Sequence, residues 1–266
     1  MNSLRDVGVR LHSRYIFNCY VIEDGGAGAP CVVDAGIPMN AVSALATLQQ
    51  LGAGSNVILT ATHGHSDHVA GIPQLHTATG GRILLPAKVE DYVRGERPRS
   101  FGLRAMLTIV PVLRDTPMDW PAVREALSTA KDAGFGLSGF RFDPPIHGYL
   151  RDRERLAGAP DWEVLATPGH TDCSTCLWNA KTRTLLTGDT VLSIHGRAWF
   201  NPEYVDAEAS ARTEAMLRRL PVEHLLPGHG HPVSGPRVMA EALSHRERPR
   251  GWSPLTCRAR PPKPAR

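Results

Sequence analysis

Three histidines and an aspartate crowd into the six residues His63-Gly64-His65-Ser66-Asp67-His68. An apolar run, Val57-Ile58-Leu59-Thr60-Ala61, comes just before them and reads as a buried strand ending in a loop. Alternate residues of an extended segment point the same way, so His63 and His65 can grip one metal ion. Asp67 and His68 follow after the chain has begun to turn and should project elsewhere, toward a second ion. Gly64 gives the backbone freedom to bend closely between the first two ligands. The bland alternative is a polar loop of solvated histidines, which leaves this density of liganding side chains unexplained.

Three later stretches share one design, a strand followed by a glycine-containing turn with one polar candidate. They are Thr167-Pro168-Gly169-His170-Thr171, Leu186-Thr187-Gly188-Asp189-Thr190 and Leu226-Pro227-Gly228-His229-Gly230. Each alone is an ordinary turn. With the first motif they supply five histidines and two carboxylates at strand ends, a set suited to two divalent ions of borderline N/O preference, most often zinc.

On these motifs the sequence resembles the metallo-β-lactamase fold superfamily, in its binuclear hydrolase branch (glyoxalase II-like and lactonase-like), over roughly residues 7–87 and 160–244. The resemblance implies an α+β fold, the four-layer αββα sandwich. It implies that His63, His65 and His170 hold the first metal, that Asp67, His68 and His229 hold the second, and that Asp189 bridges them. Asp34, in Val32-Val33-Asp34-Ala35-Gly36, resembles the family's acid that orients the ligands from behind. The cofactor expectation is two Zn²⁺, with Mn²⁺ or Fe as substitutes.

The expected activity is that of a metal-dependent hydrolase, in which a metal-bridging hydroxide cleaves an ester-like bond of a small molecule: a thioester, lactone or ester. Asp67 would also serve catalysis by orienting the nucleophile or shuttling its proton. The rival within the same fold is a mononuclear iron persulfide dioxygenase using His63, His170 and Asp189. A third reading is a metal-binding protein without catalysis, although no ligand position has been lost. A true β-lactamase is disfavoured because Asp189 stands at the bridging position. Thr190 follows that acid, where quorum-signal lactonases typically place a tyrosine. Only 37 residues follow His229, too few for the glutathione-binding helical domain of a glyoxalase II proper.

The elements that must position these groups follow from periodicity and punctuation. Strands are expected within 7–23, closed by the turn Asp24-Gly25-Gly26-Ala27-Gly28, and at 31–36, 57–61, 82–86, 162–166, 173–178, 184–187 and 224–227. Helices are expected at 39–51, 69–79, 87–94, 121–132, 206–220 and 238–244. Residues 88–150 read as a largely helical insertion covering the site, within a single domain spanning 1–245.

Around the site mouth, His195 and Arg197 are candidates for binding a carbonyl or anionic group, with Tyr204 a weaker one. Their alternative is a solvated loop with an ordinary salt bridge. Cys173 and Cys176 form a Cys-x-x-Cys pair, but on a strand such residues face opposite ways, which favours core packing over redox chemistry. His12, His76 and His147 are expected to be structural or exposed, and His231 to lie outside the ligand set.

Composition excludes several classes. With 42% hydrophobic and 21% charged residues, the 266-residue chain is an ordinary globular protein. It shows no membrane span or secretory leader, so cytoplasmic residence is expected. Residues 246–266 carry a charge of +6 against +4 for the whole chain, leaving about −2 on the body. The basic charge thus belongs to a proline-rich tail expected to be disordered, and a nucleic-acid partner is not expected.

Overall fold

The computed structural model describes residues 3–23, 28–101, 107–136 and 139–249. Residues 24–27 of the expected turn, and nearly all of the tail, lie outside the described residues. Two six-stranded sheets face each other. In the first, β1 (Val9–Arg14), β2 (Phe17–Ile22), β3 (Cys31–Val33), β4 (Ile58–Thr60), β5 (Arg82–Pro86) and β6 (Gly148–Leu150) lie in sequence order. The first three are antiparallel, and β3 to β6 run parallel. The second sheet comprises β7 (Arg155–Leu156), β8 (Ala159–Ala166), β9 (Thr175–Asn179), β10 (Thr184–Gly188), β13 (His224–Pro227) and β14 (Val233–Ser234), with β10 parallel to β13. A separate hairpin, β11 (Val191–Ile194) and β12 (Arg197–Phe200), follows β10.

Period-two alternation builds the layers. In β2 every residue is buried, yet Tyr20 and Ile22 join the core between the sheets while Cys19 and Val21 join the core under the helices. The inter-sheet core adds Val33, Ile58, Trp162, Leu177, Leu186 and Leu226. On the outer face of the first sheet, α2 (Pro38–Gln50) contributes Ala41, Ala44 and Leu48, and α4 (Ile72–Thr79), which follows the short α3 (Ser66–Val69), contributes Leu75. On the outer face of the second sheet, Leu217 of α8 (Ala207–Leu217) packs with Cys176, Leu185 and Leu225. This is the αββα sandwich. The α8 helix starts where expected, with Asp206 accepting a hydrogen bond from Ala209 N at 2.9 Å.

The expected insertion carries α5 (Val89–Val93), α6 (Val110–Asp115) and α7 (Trp120–Thr129), and its last residues form β6 on the edge of the first sheet. Asp119 caps α7 through Ala122 N. The expected helix at 238–244 is absent, and this stretch is a series of turns. Its apolar residues Val238, Met239 and Ala242 are buried as a helix face would be, but its carbonyls are claimed elsewhere. Arg218 donates to Met239 O and Ala242 O, and Leu243 exchanges backbone hydrogen bonds with Ala198 and Phe200 of β12.

Candidate metal centre

Each loop bearing a candidate ligand leaves the end of a strand at one rim of the sandwich: β4 leads to His63 and His65, β8 to His170, β10 to Asp189 and β13 to His229. Cross-ties hold the loops together. Thr175 donates to Thr62 O through both its amide (2.8 Å) and its hydroxyl (2.9 Å), joining the second sheet to the His63 loop. Asn18 N donates to Gly228 O at 3.1 Å, and Tyr20 Oη donates to Pro227 O at 2.7 Å, joining the first sheet to the His229 loop. The insertion closes on the motif as well, because Phe135 N donates to Gly64 O and Ser66 N to Phe135 O.

The structure gathers the seven candidates into two groups. His63, His65, His170 and Asp189 form one, and Asp67, His68 and His229 the other, with the liganding atoms of each group within 4.8 Å of one another. His63 Nε2 and His65 Nδ1 are 2.9 Å apart, and His170 Nε2 is 3.4 Å from the same His65 nitrogen. Asp189 reaches both groups: Oδ2 lies 3.6 Å from His170 Nε2 and 3.3 Å from His229 Nε2, and Oδ1 lies 3.4 Å from His68 Nε2. Asp67 Oδ2 is 3.2 Å from His229 Nε2. Asp67 is the most open of the carboxylates, its side chain 30% exposed against 8% for Asp189.

The far nitrogens of three histidines are hydrogen-bonded from behind, and that of a fourth faces a buried carboxylate. His170 Nδ1 lies 2.9 Å from Glu203 O, His229 Nδ1 3.1 Å from Ile16 O, and His63 Nδ1 3.2 Å from the Thr62 hydroxyl. His68 Nδ1 is 3.2 Å from Asp34 Oδ2, close enough to attract but too oblique for a hydrogen bond. Asp34 is fully buried at a positive φ of 60°, a conformation aspartate tolerates better than most residues, and its Oδ1 accepts from Thr62 N at 2.7 Å. Such backing fixes which nitrogen each ring presents to the centre.

Glycines beside the ligands make room. A Cβ on Gly228 would stand 2.5 Å from Asp189 Oδ1 and 2.7 Å from His68 Cε1. Gly64 has a role other than the expected bend: its φ is not positive, and a Cβ there would come within 2.9 Å of the Phe135 ring.

The electrostatics divide along the same line. Burial and neighbouring histidines hold His63 well below the usual histidine value, and burial with His170 brings His65 to about 3, so both are neutral near pH 7. Burial likewise lowers His170. Burial also opposes the charged forms of His68 and His229, but the carboxylates outweigh it. Asp189, Asp34 and Asp67 hold His68 well above the ordinary value, and Asp189 with Asp67 lifts His229 to about 10. Asp189 is held well below the ordinary carboxylate value, since His229 and His68 overcome its burial. Even so, His68 Nε2 and Asp189 Oδ1 are buried without a hydrogen-bond partner. Orphaned ligand atoms of this kind, converging from imidazoles and carboxylates, are what divalent ions satisfy once any imidazole proton is released.

The remaining candidates fall outside the two groups. His195, at the β11–β12 turn, is exposed, with Nδ1 2.5 Å from Asp115 Oδ1, and Arg197 Nε donates to Glu241 O. Both tie the hairpin to neighbouring segments, His195 through an ion pair and Arg197 through a backbone carbonyl. Tyr204 packs edge-on against His245. Cys173 and Cys176 are buried in different cores, without disulfides, and burial pushes their thiols up to about 11 and about 12. His12, His76 and His147 bond locally to Thr47, Gly81 O and Ile83 N.

Two residues that sequence reasoning passed over stand behind the centre. Asn201 is buried and donates through Nδ2 to Asp189 O at 2.8 Å, 3.1 Å from His170 Nδ1, while its Oδ1 accepts from Glu203 N. Glu203 is 6% exposed, and burial, reinforced by Asp189 and Asp67, pushes its carboxyl up to about 8. Asn201-Pro202-Glu203 reads as a polar loop in sequence, and only the fold of that loop behind His170 reveals its part.

The chain belongs to the metallo-beta-lactamase superfamily, whose family model matches residues 15–229. Among curated relatives it is 25% identical over 225 residues to a probable metallo-hydrolase, YflN, of Bacillus subtilis (strain 168), covering 77% of this chain and 76% of that protein. It is 29% identical over 174 residues to a hydroxyacylglutathione hydrolase of Methylobacterium nodulans, covering 62% of each. Among solved structures, the metallo-beta-lactamase family protein TTHA1429 from Thermus thermophilus matches with a TM-score of 0.58 at 23% identity, over 88% of this chain and 77% of that one. TTHA1623, solved in a di-iron-bound form, matches with a TM-score of 0.52 at 22% identity, over 85% and 93%. Among the described residues no helix is long and apolar enough to cross a membrane.

Proposed function

We propose that the protein is a binuclear metal-dependent hydrolase acting on an ester-like bond of a small molecule. The observation that carries this reading is the pair of adjoining ligand groups with Asp189 between them. His63, His65 and His170 would hold the first ion, Asp67, His68 and His229 the second, and Asp189 both. Two such ions supply Lewis acidity for the substrate carbonyl and a water acidic enough to attack near neutral pH.

The chain's own residues set the rest. Asp67, partly open to solvent and ionised beside His68 and His229, accepts the proton of the attacking water at a carboxylate oxygen and returns it to the leaving group. Asp34, Glu203 O and Ile16 O keep the rings aimed, and Asn201 ties the His170 and Asp189 loops together. His68 and His229 carry protons when no metal is bound, so metal loading releases protons and tightens as pH rises.

Elemental analysis of tag-free protein is expected to find about two divalent ions per chain, and hydrolysis of ester or thioester panels should follow metal content. One iron per chain with oxygen consumption on a persulfide would replace this reading by the dioxygenase. Asn201→Ala is expected to weaken metal retention by about 10- to 100-fold in a chelator competition. Unchanged retention would show that the Glu203 carbonyl holds His170 unaided.

A further inference from the structure

The segment Arg99–Phe101 of the insertion folds over the first ligand group. The Phe101 ring lies 5.0 Å from the His170 ring at 36° and 5.4 Å from the His65 ring at 72°. Phe135 stands 4.6 Å from His65, so two phenyl rings grip that imidazole. Phe135 is fully buried, whereas Phe101 is only partly so. Phe101 has a nearby anchor. Arg99 Nη1 lies 3.2 Å from Asp206 Oδ2, and its Nη2 donates to Val205 O at 2.7 Å. Val205 N in turn donates to Gly169 O, one residue before His170. The strap is therefore fastened to the same loop that positions the ligand it covers.

We propose that Phe101, held by the Arg99–Asp206 pair, is the specificity wall of the site and selects neutral substrates with an apolar acyl group beside the scissile bond. This rests on the hydrolase reading above and narrows its substrate class. Charge supports it. Among the described residues, the cationic groups of the strap and of the β11–β12 hairpin are committed elsewhere, Arg99 to Asp206, Arg197 to Glu241 O and His195 to Asp115, and so are not offered to an anionic substrate tail. An acyl chain beside the first ligand group meets the aromatic face of Phe101.

The test uses metal-loaded full-length protein and p-nitrophenyl esters, with kcat/KM for hexanoate divided by that for acetate as the readout. Phe101→Ala is expected to lower this ratio about tenfold, since a few methylenes against an apolar wall carry discrimination of that size. Phe101→Leu should restore most of it, and Arg99→Ala should lower it in the same direction. Metal content of each variant, expected at the wild-type value, distinguishes loss of the wall from loss of the fold. An unchanged ratio in a metal-replete Phe101→Ala protein would overturn the proposal. So would a wild-type preference for an acylglutathione, with its two carboxylates, over the matching neutral N-acetylcysteamine thioester. If metal-replete wild type cleaves none of these esters or thioesters, the hydrolase reading itself fails, and the wall with it.

Discussion

Asp189→Ala is expected to strip the centre of metal and to lower turnover by about 10³-fold or more. Asp189 is the carboxylate that reaches both groups, with Oδ1 toward His68 and Oδ2 toward His170 and His229. On the proposed binuclear reading, its removal would delete a donor from each ion together with the negative charge that draws them together. If metal ions contribute several kcal/mol to stabilising the transition state, their loss costs at least three powers of ten at about 1.4 kcal/mol each. The direct checks are metal stoichiometry and single-substrate kinetics on the same preparation. Full activity in this variant would remove the binuclear assignment. Asp189→Asn is the informative companion: it preserves shape and one acceptor oxygen but not the charge, and should fall between wild type and alanine in metal retention.

Much of this centre was legible because ligand chemistry is local. His63 to His68 announce themselves by density, and His170, Asp189 and His229 by their repeated placement after a strand and beside a glycine. Strands buried on both faces, such as Ile58–Thr60 and His224–Pro227, read as apolar runs because little else fits between a sheet and a helix layer. The features that escaped are those made by long-range hydrogen bonding. The 238–244 stretch has helical apolar spacing, but Arg218, a residue distant in sequence, takes its carbonyls. The β11–β12 hairpin turns at His195 and Gly196, both at positive φ, a signal hidden by reading the histidine as a substrate contact. Phe101 and Asn201 carry no local pattern, and their significance comes only from what the fold sets beside them.

Glu203 shows how the centre balances its charge, and it leads to the second large effect. The ordinary carboxyl value of 4.5 rises to about 8 here. Because the folded value is the higher one, the acid form contributes stability that is complete below pH 4.5 and is lost as pH rises through 8. The full span corresponds to roughly 4–5 kcal/mol at about 1.4 kcal/mol per pH unit. Glu203→Gln removes this liability. In chelated protein the variant should gain stability over wild type by most of that span as pH rises from about 4.5 to about 8, because the amide's own need for partners in a buried place is the same at every pH and cancels from the difference. Urea melts at about pH 5 and about pH 8 read the difference, and equal gains at the two values would overturn the argument. Restoring metal should shrink the gap. Two divalent ions bring four positive charges to a site with four carboxylates around it, Asp34, Asp67, Asp189 and Glu203. A nearby cation favours the ionised form of each. On the proposed binuclear reading, Glu203 is a cost to the metal-free chain and becomes a counter-charge once metal is bound.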